Sequence, residues 1–440
     1  MYDMKSVKVY RYRWLILFSL MLLVFAVEIQ WMNLAPVGRV ANLFFQGHFS
    51  ESLASPIDLF SLTYMVVFVV ASLPCSYAIH RFGITISIWI ASSLIIFASL
   101  CKGVYVGNFS IFLFSQFILA IAQALILNSI TEIISRWFSI RERGMAVGII
   151  SATQYFSLGF VMVFSPLFII TDATSIDYGS GFERMIIVYS LISGVFALVA
   201  ALLMRENPHS PSSSFQTESK FSFFRSFAIM NANPSLRGLI FIFAIGWGVL
   251  MTFLSKVDFV SSLLGFPDSN GKLGIALLGG GMLGAIVLPS FSDKFRKRKF
   301  FYVLCCFCSI PGLLLLIFSQ DIGKFFFSNT AVALLGTSIF GFFLLSSIPI
   351  GLQYAAELGQ GVSEEIIQAV IMLCSQAIGS VLMIITLLGG APYAGRMLAF
   401  FATLMFACMI GSTFLKESPL IITEEERLTN VIEKEIVHHQ

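Results

Sequence analysis

Charge is what this chain has least of. Asp, Glu, Lys and Arg make up 12% of its 440 residues, about half the share of an ordinary soluble domain, and that excludes a water-facing fold. No Gly-x-x-x-x-Gly-Lys loop occurs, so a nucleotide is not the driver. Histidine is scarce. His48, His80, His209, His438 and His439 all lie away from the centres of the apolar runs, which speaks against haem ligation inside a membrane. The seven cysteines, an odd number, fall within apolar runs, the opposite of a secreted disulfide framework. Cys305, Cys306 and Cys308 share one run and leave a soft-metal site conceivable, but no further ligand stands at the needed spacing. Buried thiols packing a helix are the simpler reading, and no cofactor is expected. The basic N-terminus precedes a run too long, and too free of small residues, for a cleavable signal. A net charge of +3 gives no basis for a nucleic-acid partner.

What the chain has is apolar length: 57% of it is hydrophobic, with a mean hydropathy of +0.89. Runs long enough to span a bilayer recur at 14–37, 57–79, 84–106, 109–135, 144–170 and 185–204. They resume at 238–264, 272–292, 300–319, 328–354, 365–389 and 394–415. The expectation is an all-α integral membrane protein of twelve transmembrane helices in two six-helix bundles, residues 1–204 and 238–415. Residues 205–237, rich in Ser, Pro and Asn, read as a linker with a short surface helix around Phe221–Phe227. Residues 416–440 read as a tail that begins with a capping box from Thr423 to Glu426. Of the 27 Lys and Arg residues, 20 fall in the segments on the side of the termini, six in the opposite loops, and Lys256 within a span. By the positive-inside rule both termini and the linker are cytoplasmic, in a plasma membrane or a bacterial inner membrane.

The first run carries Glu28, Gln30, Trp31 and Asn33 before the turn at Pro36. A carboxylate at that depth costs about 2.5 kcal/mol or more against lipid. It therefore faces protein or a watery cavity, as part of a substrate path or as a structural glutamate bonded to a neighbouring helix. Trp31 lies about 25 Å along its span, at a depth that suits a central site. Its face suits an organic cation, worth about 0.5–2 kcal/mol; the alternative is an interfacial anchor. Gln154 and Gln376 sit within their spans and need internal partners, which a substrate or an interhelical hydrogen bond would supply. Lys256 and Asp258 lie in span seven, equivalent to span one. A Glu28–Lys256 pair between the halves would close the outer side; the alternative is a lysine snorkelling to headgroups. Glu132 sits near the inner end of span four, where Arg136 or Arg141 would pair with it.

The halves echo one another. His80-Arg81-Phe82-Gly83 follows span two, and Asp293-Lys294-Phe295-Arg296 follows span eight, as an internal repeat would leave. With six plus six spans, the Asp293-Lys294 loop and Arg136-Trp137-Phe138 followed by Glu142-Arg143-Gly144, the chain resembles the major facilitator superfamily. The resemblance implies that fold and cytoplasmic latches involving Asp293, Arg81, Arg136, Arg143 and Glu357. His80 replaces the acidic residue of the first copy. Pro349-x-Gly351, Tyr354-Ala355-Ala356-Glu357-Leu358, Ser375-Gln376-x-x-Gly379, Gln30-Trp31 and Gln154 are similar to the feline leukaemia virus subgroup C receptor-related family, whose members are credited with haem export and choline or ethanolamine transport. That resemblance implies that Trp31 stacks on the substrate and that Gln154 and Gln376 line the pocket. A family tyrosine falls at Met251, and Trp247 one turn earlier stands in for it.

The function expected is a monomeric secondary or facilitative transporter working by alternating access, without enzymatic activity, for a small organic solute such as choline. Glu28 leaves proton coupling open. Haem, an iron-siderophore or another bulky amphipathic ligand is the alternative substrate class. A membrane receptor or sensor is the rival of another kind.

Overall fold

The computed structural model of the protein describes residues 10–46, 55–138, 140–172, 175–205, 223–265, 271–324, 328–359, 362, 364–388 and 390–418. The Thr423–Glu426 capping box, His48, His209, His438, His439 and most of the linker lie outside the described residues, as does the side chain of His80. Among the described residues twelve helices are long and apolar enough to cross a membrane, and there is no strand. In order these are α1 (Arg13–Met32), α2 (Pro56–Phe82), α3 (Ile84–Val104), α4 (Phe109–Trp137), α5 (Ile140–Phe168) and α6 (Phe182–Leu203). After a short helix, Phe223–Ala232, come α7 (Pro234–Ser255), α8 (Lys272–Phe295), α9 (Arg298–Ile317), α10 (Asn329–Leu358), α11 (Glu364–Leu388) and α12 (Gly390–Thr413). Helices are the natural solution, because a lipid-facing backbone must satisfy its own donors and acceptors. The faces turned outward are apolar. Trp89, Leu167, Leu202, Ile286, Leu388 and Phe414 all stand exposed, as a bilayer requires and water would not tolerate.

The repeat is visible in the packing. In the first half α1 packs on α5, α2 on α4, α3 on α4 and α3 on α6. In the second, α7 packs on α11, α8 on α10, α9 on α10 and α9 on α12. Each contact recurs six helices later. The loops noted in the sequence repeat too: α2 turns into α3 through Gly83 at φ 87°, and α8 into α9 through Arg296 at φ 51°.

Successive spans alternate in direction, so the start of α1 and the end of α12 lie at one face, the terminal face, opposite a distal face. The second bundle starts at Pro234, four residues before the hydropathy boundary, because Asn233 caps the helix by accepting from the Ser235 and Leu236 amides. The expected surface helix is present two residues late, at Phe223.

The halves meet where α2 lies on α11 and α5 on α8. The named close approaches are distal. A Cβ added to Gly271 or Gly274, at the distal start of α8, would strike Met162 of α5 at 1.9 or 2.4 Å. A Cβ on Gly379 of α11 would meet the Met65 methyl of α2 at 3.2 Å.

Candidate functional site

The first helix of each half is the most enclosed, with 83% of its apolar window buried in both α1 and α7. These two form the axis of the molecule, and both break near the distal face. Pro36 cannot donate an amide to the preceding turn. The helix therefore stops at Met32, passes through a 3-10 turn at Ala35–Val37 and resumes as Gly38–Phe45. In the second half α7 ends at Ser255 and resumes at Val257 after Lys256. Broken helices at corresponding places of two repeats expose backbone dipoles and leave room for polar groups within the membrane.

Just below the first break lies a buried polar cluster. Glu28 is fully buried, and its Oε1 accepts from Gln123 Nε2 of α4 at 3.0 Å and from Gln154 Nε2 of α5 at 2.7 Å. Its Oε2 has no hydrogen-bond partner. Gln154 is partly exposed, whereas the carboxylate it bonds is not. Trp31 lies three residues on, on the same side of the helix. Its ring stacks flat on Tyr64 of α2, with centroids 5.0 Å apart and planes 8° apart. Both the Trp31 Nε1 and the Tyr64 hydroxyl are buried without partners. Tyr64 lies within electrostatic reach of Glu28.

The second half contributes Trp247 and Gln376. Trp247 stacks on Phe243, and its Nε1 has no partner; nor has Gln376 Oε1. A Cβ on Gly248, next to Trp247, would come within 3.1 Å of the Gly379 amide, so α7 and α11 cross backbone to backbone there. Gly379 also touches Met65, the neighbour of Tyr64. Gln376, Trp247 and the Trp31–Tyr64 stack therefore lie within about a turn of one three-helix crossing. Met251, the position of the expected aromatic, is buried one turn beyond Trp247.

Several expectations need correction. Gln30 does not share the face of Glu28 and Trp31. Its Nε2 donates to Ser190 of α6 at 3.4 Å, and Lys102 of α3 donates to its carbonyl at 3.1 Å and to its Oε1 at 3.3 Å. One helical step turns a side chain by about 100°, and here that step carries Gln30 into the bundle interior. Asn33, at the break, is buried with neither amide atom partnered. The Glu28–Lys256 pair does not form. With α7 starting at Pro234, Lys256 lies 22 residues along its helix and Glu28 only 15 along α1, about 10 Å apart in depth. Lys256 pairs instead with Asp58, in the first turn of α2, at 2.5 Å.

The distal closure is thus built from two reciprocal ion pairs. The N-terminal half offers Asp58 to Lys256. It also offers Arg39, whose backbone amide, Nε and Nη2 donate to Asp258 at 2.6, 3.1 and 2.9 Å. Both of these ion pairs join the halves. At the terminal face the described pairs stay within a half. Arg13 meets Glu142 at 2.8 Å and Arg136 meets Glu132 at 2.5 Å; Arg298 joins Asp293 and Glu357. Arg143 donates to the Ser135 and Phe138 carbonyls, and Arg81 reaches the Tyr77 hydroxyl. Glu357 and Asp293 therefore brace their own bundle here.

Sequence reasoning missed Tyr64, Asp58, Arg39 and Lys102 as members of this machinery. Asp58 follows Ser55-Pro56 at a helix start, which fixes its depth beside Lys256. Lys102 reads as a loop cation at the end of a run.

Comparison with known proteins places this arrangement. The family model described as Major Facilitator Superfamily matches residues 16–382. The human choline/ethanolamine transporter FLVCR2 is 24% identical over 398 residues, covering 86% of this chain and 72% of that protein. The Danio rerio choline/ethanolamine transporter flvcr2a is 23% identical, covering 93% and 87%. Among solved structures, a D-xylose-proton symporter superposes with a TM-score of 0.74 at 14% identity, covering 93% of this chain and 99% of that one. A bacterial homologue of the human lysosomal transporter Spinster gives 0.61 at 17%, covering 93% and 96%.

Proposed function

This chain belongs to the major facilitator superfamily, and we propose that the solute it carries is a small organic cation of the choline or ethanolamine kind, moved by alternating access. It is a multi-pass membrane transporter. The observation that carries the substrate class is the aromatic wall of Trp31 and Tyr64 set within a turn of the buried Glu28 carboxylate. A π face and a negative charge together favour a desolvated ammonium. The unpartnered polar atoms of Trp31, Trp247 and Gln376 supply hydrogen bonding to a hydroxyl at the other end of such a solute. Relatives named choline/ethanolamine transporters support the same choice, and no enzymatic step belongs to the proposal.

The cycle follows from the contacts. The Arg39–Asp258 and Asp58–Lys256 pairs hold the distal side shut. The Lys and Arg bias toward the terminal face makes that face cytoplasmic, so this conformation faces inward. Rocking the two bundles, acting as a monomer, breaks the distal pairs and brings Asp293, Glu357, Arg81 and the Arg136–Arg143 segment into cross-half contacts at the cytoplasmic side. The test is uptake of radiolabelled choline, ethanolamine and haem into proteoliposomes. Saturable entry of the two cations, with none of haem, is expected. Transport of haem alone would overturn the assignment.

A further inference from the structure

The ion pairs described above lie toward the two ends of the molecule, and the carboxylate at its centre belongs to none of them. Glu28 is fully buried, and no cation pairs with it among the described residues. Two neutral amides share one of its oxygens, and the other is free. The helices packed around it do not supply a counter-charge. Tyr64 of α2 is neutral. Lys102 of α3 is spent on Gln30 and lies over the Phe112 ring. Glu132 of α4 is closed by Arg136, and Glu142 of α5 by Arg13. Tyr155 of α5 is neutral, and Tyr189 of α6 bonds Ser165.

A lone ionised carboxylate in such a place is strongly disfavoured. Two conditions relieve it: a proton on the carboxyl group, or a cation beside it. An empty, unprotonated carrier would have to occlude the bare charge between the halves, and that form is the one least able to rock. From this, and resting on the cation reading above, we infer that Glu28 holds a proton and the substrate cation by turns, so that the protein exchanges one for the other across the membrane. Gln154, bonded to the carboxylate and partly exposed, lies on the route by which either reaches it. One positive charge crosses in each direction, so the exchange is electroneutral. The cation is then driven toward the more acidic side, about tenfold for each pH unit.

The test uses the full chain in proteoliposomes whose interior is one pH unit more acidic than the bath, with radiolabelled choline or ethanolamine outside. Accumulation approaching tenfold, unchanged when a potassium diffusion potential is imposed, supports the exchange. Equilibration to equal concentrations whatever the pH gradient overturns it and leaves the cation reading standing. No entry of either cation under any gradient overturns the cation reading, and the exchange with it. Glu28→Gln removes a binding group together with the proton site, so its choline KM should rise, and the entry that remains at saturating choline should ignore the pH gradient and follow the membrane potential. Glu28→Asp keeps the carboxyl group and should keep the coupling. Coupling that persists in a folded Glu28→Gln variant overturns the role of this residue.

Discussion

Replacing Lys256 by Met leaves Asp58 in the closed conformation with a buried carboxylate and no cation. The two side chains are only 11% and 8% exposed and lie 2.5 Å apart. Removing one member of a buried pair costs about 3–5 kcal/mol. Here the residual exposure and the amides at the start of α2, which favour an acid in the first turn, reduce that to about 2 kcal/mol. In the open conformation water reaches Asp58 and the penalty disappears. The closed-to-open balance should therefore shift toward opening by about 30-fold. A cysteine at Thr252 reports it. Thr252 is fully buried, one turn toward the centre from Lys256. In a background with the seven native thiols replaced, a membrane-impermeant thiol reagent applied at the distal face should modify that cysteine about 30 times faster in the Lys256→Met variant. Adding Asp58→Asn removes the stranded charge, so the double variant should react more slowly than the single one. Unchanged labelling in Lys256→Met, or faster labelling in the double variant, would refute the ion pair as a closing element.

Trp31→Ala should raise the choline KM by about 2- to 30-fold, the loss of a cation–π contact of about 0.5–2 kcal/mol; Gln376→Ala should raise it less, both read from uptake kinetics. Gly341→Ala places a Cβ 2.0 Å from the Leu277 carbonyl oxygen, a backbone atom, whereas Gly379→Ala meets the flexible Met65 methyl at 3.2 Å and the Gly248 Cα at an ordinary contact distance of 3.6 Å. The first should cost about 3 kcal/mol and lower the thermal stability of the purified protein, and the second should leave it nearly intact. Lys102→Met replaces a buried amine that has no carboxylate partner among the described residues with a side chain of similar shape, so the melting temperature should hold or rise slightly.

The sequence was most informative where the bilayer leaves few choices. Twelve spans, their pairing into halves and the repeated basic loops all follow from hydropathy and charge, because lipid forbids an unsatisfied backbone. Its information thins where depth decides. Lys256 looked like a partner for Glu28 because the boundary of α7 falls four residues late in the hydropathy and that of α1 one, which shrinks a seven-residue difference in depth to four. Direction around the helix was harder still. Gln30 and Trp31 are neighbours in sequence, yet the first turns to Lys102 and the second to Tyr64; one helical step of about 100° separates them, and hydropathy does not say which neighbouring helix each face meets. Asp58 was overlooked because an acid in a helix's first turn already has a local reason to be there.

The placement of charge also explains why closure and binding need different kinds of site. At the distal end each half gives one acid and one base to the other, Asp58 and Arg39 from the first, Asp258 and Lys256 from the second. Separating the halves uncovers equal and opposite charges that water solvates well, so neither conformation is favoured by a large margin. A carrier must keep its two states near balance, since a ligand shifts the equilibrium only by its differential affinity. At the centre the requirement reverses. If Glu28 were paired within the protein, as Glu132 is with Arg136, a cationic solute would have to displace that partner and would gain little. Left with amide donors on one oxygen and nothing on the other, it keeps its strongest interaction for whatever enters.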